Sequence, residues 1–226
     1  MPKSAIRNAA SVILLRDRDT APRILMGQRG ASAAFMPNKF VFPGGALDKT
    51  DAEVPLETAL SEECMARLRA EADPALAKPL ILAAIREVWE ETGLKLGQPS
   101  PHARALAPRI PPDWRSFFDQ GVMPSGAGMR FVFRAITPPG RPRRFDARFF
   151  LVDADRVASD LDDFSDACDE LSHLQWIPLS DVRGFDLPFI TEVVLAEVEA
   201  SLENPARDSR VPFFFNAEGR SNFHRL

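Results

Sequence analysis

Short apolar runs, separated by polar or proline-rich stretches, recur along the chain. Runs rich in β-branched and aromatic residues predict strands at 9–16, 22–29, 40–45, 129–137, 146–154 and 173–179, and a terminal hairpin or strand pair at 211–226. A short polar stretch joins the first two strands, which favours a hairpin. Pro43 and the two glycines that follow it end the third strand.

Apolar residues at helical spacing predict helices between these strands. The helices are expected at 55–72, 79–92 and 187–202, with a shorter one at 113–120. Gly93 directly follows the second helix and is typical of a helix end, because glycine readily adopts the left-handed conformation found there. Mixed strands and helices, with no repeat and no clean linker, predict one α/β domain over residues 1–226.

Composition and charge narrow the classes of function. With 226 residues, 45% of them hydrophobic, the chain can bury one sizeable core. A net charge of −4 gives no indication of general nucleic-acid binding. Two cysteines cannot form a disulfide framework and fit a reducing compartment, so we expect a cytoplasmic location. No apolar run approaches the ~20 residues of a membrane span, so no membrane partner is expected, and a homodimer stays open.

Three glutamates gather on one face of the predicted helix at 79–92. Glu87, Glu90 and Glu91 have the spacing i, i+3, i+4, and Arg86 lies one turn before Glu90, where it can pair with it. Like charges at this spacing cost about 0.2–0.5 kcal/mol per exposed pair, which a solvated surface helix can bear. Carboxylates from adjacent turns also suit a hard divalent cation such as Mg²⁺. Spacing alone leaves both interpretations open.

Residues 86–94 read REVWEETGL, and the glycine-rich stretch FVFPGGALD at 40–48 precedes them. Together these segments resemble the signature of the Nudix hydrolase superfamily. The later segment matches its Arg-Glu-apolar-x-Glu-Glu-x-Gly-apolar run at every fixed position. Gly45 matches the opening glycine, and Asp51 stands six residues later, where the family usually has Glu. The resemblance implies an α/β/α sandwich with a mixed central sheet and an enzyme that hydrolyses diphosphates.

The spacing inside this signature departs from the family pattern. Asp51 and Arg86 have 34 residues between them, where the family normally has seven, so about 27 residues are additional. The helix predicted at 55–72 fits inside this insertion, which covers about 52–78, and loops lengthen at modest entropic cost. Glu53 or Glu57 could therefore take the place of Asp51.

An interrupted signature resembles one branch of the superfamily, the peroxisomal coenzyme A diphosphatases and their bacterial relatives. The segments 28–48 and 143–151 also resemble that branch, and the resemblance covers roughly residues 9–200. It implies hydrolysis of coenzyme A or acyl-CoA to 3′,5′-ADP and (acyl-)4′-phosphopantetheine. An ADP-ribose or nucleotide-sugar diphosphatase is the enzyme alternative. A non-catalytic Nudix domain that senses a nucleotide is the alternative from another class.

The resemblance also implies roles for particular residues. Glu87, Glu90, Glu91 and the Gly44 carbonyl would hold Mg²⁺ or Mn²⁺. Arg86 would orient the glutamates through an ion pair, with Gly45 and Gly93 as structural support. These assignments agree with the chemistry, since carboxylates and carbonyls suit hard cations and glycine allows a close approach of the backbone.

The general base is expected to be Glu90 or Glu91 of the Nudix signature, or an acid of the later acidic loop. That loop offers Asp162, Asp163, Asp166, Asp169 and Glu170. Glu170 is the preferred residue because it comes just before the strand at 173–179. A solvated acidic loop without a catalytic role is the alternative.

Substrate contacts are predicted from residue type and position. In the superfamily an arginine at the position of Arg29 often contacts substrate phosphate, a role that suits its fork of donors. Phe35 and Met36 could pack on a base or thioester, or simply belong to the core. Arg144, with Arg141 and Arg143, could meet a 3′-phosphate or merely balance the acidic surface. The small-molecule diphosphate is thus the expected partner.

Overall fold

The computed structural model describes residues 5–204, 210–217 and 219–226. The strands are β1 (Ile6–Arg16), β2 (Arg23–Arg29), β3 (Phe40–Val41), β4 (Gly44–Ala46), β5 (Gly97–Pro99), β6 (Val122–Pro124), β7 (Arg130–Ile136), β8 (Arg144–Asp153), β9 (Leu171–Pro178), β10 (Pro212–Ala217) and β11 (Arg220–Arg225). The helices are α1 (Glu62–Arg69), α2 (Ala77–Thr92), α3 (Ala103–Leu106), α4 (Pro112–Asp119) and α5 (Phe189–Glu203).

One mixed sheet organises these elements. Its strand order is β11-β10-β7-β8-β1-β2-β3, with β4 paired to β1 and β9 paired to β2. The pairs β1–β8 and β7–β10 are parallel, and the other pairs of this sheet are antiparallel. β5 and β6 form a separate two-stranded sheet. The predicted α/β fold with a mixed central sheet is confirmed, and so is the terminal strand pair.

Apolar side chains fill the space on both faces of the sheet. Successive residues of a strand point to opposite faces, so on β1 Val12 and Leu14 join one core while Ile13 and Leu15 join the other. The first core contains the apolar residues of α2 and α4, and the second contains those of α5. The sheet therefore lies between helical layers. Among the described residues, the helices are too short or too polar to cross a membrane.

The helix α2 is buried on nearly all sides. Within it only Lys78 and Glu90 escape full burial, and Arg86, Glu87 and Glu91 are inside with the apolar residues. A solvated acidic face is therefore wrong for this helix. Gly93 ends it in the left-handed conformation, with φ of 73° and its N–H bonded to a carbonyl of the last turn, as predicted.

The inserted helix is shorter than its apolar pattern predicted. It begins only at Glu62, after Ser61, whose side chain accepts a hydrogen bond from a backbone N–H of the first turn. The preceding residues instead bond to a distant segment: the Glu57 N–H donates to the Pro124 carbonyl, and the Gly126 N–H donates to the Thr58 carbonyl. Long-range backbone pairing thus overrides the local helical period between 55 and 61.

A buried arginine ties this insertion to the sheet. Arg134 on β7 makes two hydrogen bonds to Asp146 on β8, at 2.8 and 2.9 Å. Its remaining nitrogen donates to the carbonyls of Ala70 and Glu71, just after α1. The end of the inserted helix is therefore fixed against the central sheet.

Candidate functional site

The glycines of β4 let the backbone approach a buried acid. Gly44 and Gly45 pair with Ser11 and Ala10 of β1. A Cβ on Gly45 would overlap the carboxylate of Glu87, and one on Gly44 would overlap the backbone of β1. A side chain at Gly44 would force β1 away, and one at Gly45 would displace the Glu87 carboxylate, so this contact between β4 and the acids requires glycine.

Glu91 lies against this strand with one oxygen unsatisfied. Its Oε2 accepts a hydrogen bond of 2.7 Å from the Gly44 N–H. Its Oε1 is buried and has no hydrogen-bond partner among the residues that the structure describes. Burial, together with the nearby charge of Glu87, raises the pKa of Glu91 well above its usual value. A buried carboxylate oxygen without a partner is costly and marks a position suited to a ligand.

Arg86 joins the acids of α2 to Asp51, which directly precedes the insertion. Its Nε and Nη2 bond to the two carboxylate oxygens of Asp51, at 3.0 and 3.3 Å, and Nη2 also donates to the Ala46 carbonyl. Its Nη1 lies 2.8 Å from an oxygen of Glu90 and 3.0 Å from one of Glu87. Burial alone would lower the pKa of Arg86, but these contacts raise it, so the guanidinium stays charged. The predicted ion-pair geometry is thus present.

Of the three acids that the sequence left open, Asp51 is the one that contacts Arg86. It is fully buried and bonded to Arg86, whereas Glu53 and Glu57 are exposed. This contact favours Asp51 as the acid of the signature, which stays a prediction.

The cluster holds more acid than base. The carboxylates of Asp51, Glu87 and Glu90 contact the guanidinium of Arg86, and that of Asp48 lies 3.8 Å from it. The charge of Glu87 acts in turn on the buried carboxylate of Glu91. Burial raises the pKa of Glu87 to about 7, against the opposing effect of Arg86, and burial also raises the pKa of Glu90. The cluster would therefore gain from an added positive charge.

The donors present fit a hard divalent cation. Among the described residues no group of three or more His, Cys, Asp or Glu side chains is closed around a metal position. The unpartnered oxygen of Glu91 and the excess of buried carboxylates are nevertheless what Mg²⁺ or Mn²⁺ would satisfy. Glu87, Glu90 and Glu91 would hold it. Gly44 reaches this cluster through its amide, so the contact predicted for its carbonyl stays a prediction.

Two further predicted residues meet beside the acidic cluster. The pairing of Arg29 with Leu171 in the sheet brings Glu170 to the end of β2, where Glu170 accepts a hydrogen bond of 3.0 Å from Arg29. Glu170 is exposed, and its charge contributes to the raised pKa values of Glu87 and Glu91. The exposed carboxylate can therefore meet water while it faces the buried acids.

A cavity of about 740 Å³ adjoins the cluster at Gly44, Gly45 and Glu170. Its cationic lining residues are Arg7, Arg29, Lys39, Arg141 and Arg143. Its apolar lining residues include Phe35, Met36, Phe145, Phe149, Leu187 and Phe189. This combination suits a ligand that has separate anionic groups and an apolar part.

The cavity collects most of the predicted substrate-binding residues. Phe35 lies edge-on to Phe145, with ring centroids 5.3 Å apart, and Met36 lines the same wall. Arg144 differs: its Nε donates to the Thr137 carbonyl at 3.0 Å, and it does not line the cavity. Its neighbours Arg141 and Arg143 do line it, so they, rather than Arg144, are placed to meet a ligand in the cavity.

Sequence reasoning assigned no role to several cavity residues, among them Lys39, Arg7 and Phe189. These three lie in separate segments, of which only that of Lys39, at 28–48, carries the resemblance, so the folded chain is what brings them together. Phe189 begins α5 and leaves 69% of its surface exposed. An aromatic residue near the start of the helix predicted at 187–202 was the sequence signal that could have indicated it.

No model of a known protein family matches the chain. A curated relative from Caenorhabditis elegans, named "Putative nudix hydrolase 7", is 32% identical over 182 residues, which cover 77% of this chain and 52% of the relative. The chain thus spans about half the length of that relative.

Solved structures extend the similarity to the fold. A NUDIX hydrolase from Alicyclobacillus acidocaldarius superposes with a TM-score of 0.64 and 25% identity, over 89% of this chain and 97% of that one. The NUDIX domain of Shewanella oneidensis NrtR, in complex with ADP ribose, superposes with a TM-score of 0.50 and 15% identity, over 88% and 90% of the two chains. The second likeness is one of fold alone.

The raised pKa of Glu87 makes stability depend on pH in the absence of divalent metal. Between the usual carboxyl pKa and about 7, the folded protein binds more protons than the unfolded chain, so its stability falls as pH rises. The measurement is the free energy of unfolding by urea in EDTA, for the wild type and for Glu87→Gln. From pH ~5 to ~8, the wild-type value should fall by up to about 3 kcal/mol more than the value of the variant. The exposed Glu57→Gln variant serves as the control. Parallel curves for the wild type and Glu87→Gln would contradict this expectation.

Proposed function

We propose that this chain belongs to the Nudix hydrolase superfamily and hydrolyses the diphosphate bond of a nucleoside diphosphate that is linked to another moiety. One observation carries the proposal. The buried carboxylate Glu91, with an unpartnered oxygen, is bonded through Gly44 to the wall of a cavity that five cationic side chains line.

The chemistry of the bond explains why both features are needed. A diphosphate repels nucleophiles, so cleavage requires neutralised charge, an oriented water molecule and a stabilised leaving phosphate. The water oxygen attacks one phosphorus atom, the bridging P–O bond breaks, and the leaving phosphate keeps the electron pair. A divalent cation bound by Glu87, Glu90 and Glu91 would neutralise charge on the diphosphate and lower the pKa of the water.

The residues of this chain divide the remaining tasks. Glu170 is our candidate for the general base, because it is exposed and can accept the proton that the water loses. Glu90 and Glu91 stay as the alternatives for that role. Arg29 lies 3.0 Å from Glu170 and lines the cavity, so its guanidinium can orient Glu170 and contact a phosphate oxygen.

We further propose coenzyme A or acyl-CoA as the substrate, with 3′,5′-ADP and (acyl-)4′-phosphopantetheine as products. Coenzyme A combines a diphosphate, a ribose 3′-phosphate and a largely neutral pantetheine arm. Arg141 and Arg143 supply cations for the 3′-phosphate, and Phe35 and Met36 supply an apolar wall for the arm. The cavity of about 740 Å³ lies in the size range of small-molecule sites.

ADP-ribose is the reference competitor, since one structure of similar fold is a complex with it. It lacks both the 3′-phosphate and the long arm, so it would use fewer of the cavity's cations. A domain that only senses a nucleotide is disfavoured by the acidic cluster, because mutually repelling buried carboxylates lower stability without helping such a domain.

Glu91→Gln should lower turnover in Mg²⁺ by about 100-fold or more, beyond the effect expected for residues around a metal site. Stability in EDTA should stay equal or rise, since a buried charge is removed. Glu63→Gln, on the exposed face of α1, is the matched control and should keep wild-type turnover. Near-wild-type activity of Glu91→Gln would exclude the acidic cluster as the reaction centre.

Arg143→Gln should lower kcat/KM for coenzyme A about tenfold and leave kcat/KM for dephospho-CoA, which lacks the 3′-phosphate, nearly unchanged. A lost charge-assisted hydrogen bond of about 1.5 kcal/mol corresponds to that factor. Arg144→Gln is the matched control, because Arg144 bonds to its own hairpin instead. Product masses would identify the bond that is cut. A higher kcat/KM for ADP-ribose than for coenzyme A would reject the coenzyme A assignment and leave diphosphate hydrolysis in place.

A further inference from the structure

We infer that Trp114 is a positioning residue for the acidic helix α2, acting through Asp51 and Arg86. This inference rests on the proposed function, since it concerns the geometry of the glutamates that would hold a divalent cation. Trp114 belongs to α4 and lies outside every segment of the Nudix signature.

The indole of Trp114 is directed at the carboxylate that holds Arg86. Its Nε1 donates to Asp51 Oδ1 at 3.0 Å, and both residues are fully buried. The same oxygen accepts the Arg86 Nε–H at 3.0 Å. Asp51 Oδ2 accepts the Arg86 Nη2–H at 3.3 Å and the Asp48 backbone N–H at 2.9 Å. Asp51 is therefore held from three directions.

The surroundings of Trp114 fix the direction of its N–H group. The indole ring has edge-on contacts with Phe117 and Phe118, at centroid distances of 5.7 and 6.4 Å. Apart from Nε1 the side chain is apolar, so its hydrogen bond to Asp51 is its one polar contact. Full burial among these rings restricts rotation of the indole and so keeps this donor directed at Asp51.

The guanidinium passes this orientation on to the glutamates. Because the guanidinium is planar and rigid, fixing Nε and Nη2 on Asp51 also fixes the direction of Nη1. Nη1 is the atom that contacts Glu87 and Glu90. Removal of the indole N–H would leave the Asp51 carboxylate freer to rotate, and Arg86 with it. The distances between the glutamate side chains would then change although no residue of the Nudix signature had been substituted.

The test is Trp114→Phe, which keeps a large aromatic ring and removes the N–H. Ser116→Ala is the matched control, because Ser116 lies on the same helix and accepts the other indole hydrogen bond at this interface, from Trp89 at 3.0 Å. Mn²⁺ affinity, measured by electron paramagnetic resonance, should fall about 10- to 100-fold in Trp114→Phe, as for other residues that orient metal ligands. It should stay at the wild-type value in Ser116→Ala.

Kinetics separate positioning from general destabilisation. In Trp114→Phe, the Mg²⁺ concentration for half-maximal activity should rise by a similar factor, while KM for the diphosphate at saturating Mg²⁺ stays within about twofold of the wild type. A residue that only stabilises the fold would lower the active fraction and leave the Mg²⁺ dependence unchanged.

A measurement on the wild-type protein covers the case in which Trp114→Phe fails to fold. The chain has three tryptophans, and their indole N–H groups donate to Ser116, Asp51 and the Leu161 carbonyl. In a ¹⁵N spectrum, Mg²⁺ should shift the Trp114 indole resonance more than that of Trp176.

The outcomes distinguish the two proposals. No binding of Mn²⁺ by the wild-type protein would defeat the proposed function itself. Wild-type binding with equal affinities for Trp114→Phe and Ser116→Ala would overturn only the role of Trp114. An indole resonance of Trp114 that Mg²⁺ leaves unmoved would overturn that role as well.

Discussion

The buried guanidinium of Arg86 lies between the short segment that precedes the insertion, the strand β4 and the acidic helix α2. It bonds to Asp51 in the first, to the Ala46 carbonyl in the second and to Glu90 in the third. Removing one partner from a buried charge cluster typically costs about 3–5 kcal/mol. The relative placement of these three parts, and with it the shape of the site, therefore depends on the Arg86 side chain. Burial by itself would disfavour the charged form of this side chain, and its contacts with the acids offset that effect.

The second constraint is the close approach at Gly44 and Gly45. These residues line the cavity and also contact Glu91 and Glu87, so no side chain separates the acids from the ligand space. Cations line the cavity side, and carboxylates form the other side, with Glu170 between them. This arrangement suits a substrate with several negative groups. Its phosphates would meet the arginine and lysine side chains on one side and a divalent cation held by the carboxylates on the other.

Local patterns predicted much of this architecture. The helix α2, its end at Gly93 and the main strands follow from apolar period and from glycine chemistry, both of which act within a few residues. The inserted helix was predicted too long because residues 57 and 58 pair with residues 124–126, a contact that local period cannot indicate. Of the three arginines named from the sequence, Arg141 and Arg143 line the cavity and Arg144 does not, a difference that only the folded chain shows. Trp114 carries no signal at all, since its partner Asp51 is 63 residues away.

We propose that the buried carboxylates of α2 form a divalent cation site, which anomalous diffraction from crystals soaked in Mn²⁺ can locate. We expect a strong anomalous peak within bonding distance of the Glu87 and Glu91 carboxylates, with Oε1 of Glu91, which has no hydrogen-bond partner among the described residues, as one of the ligands. A Mn²⁺ peak confined to other acids of the surface, or no peak at α2 at saturating Mn²⁺, would contradict it.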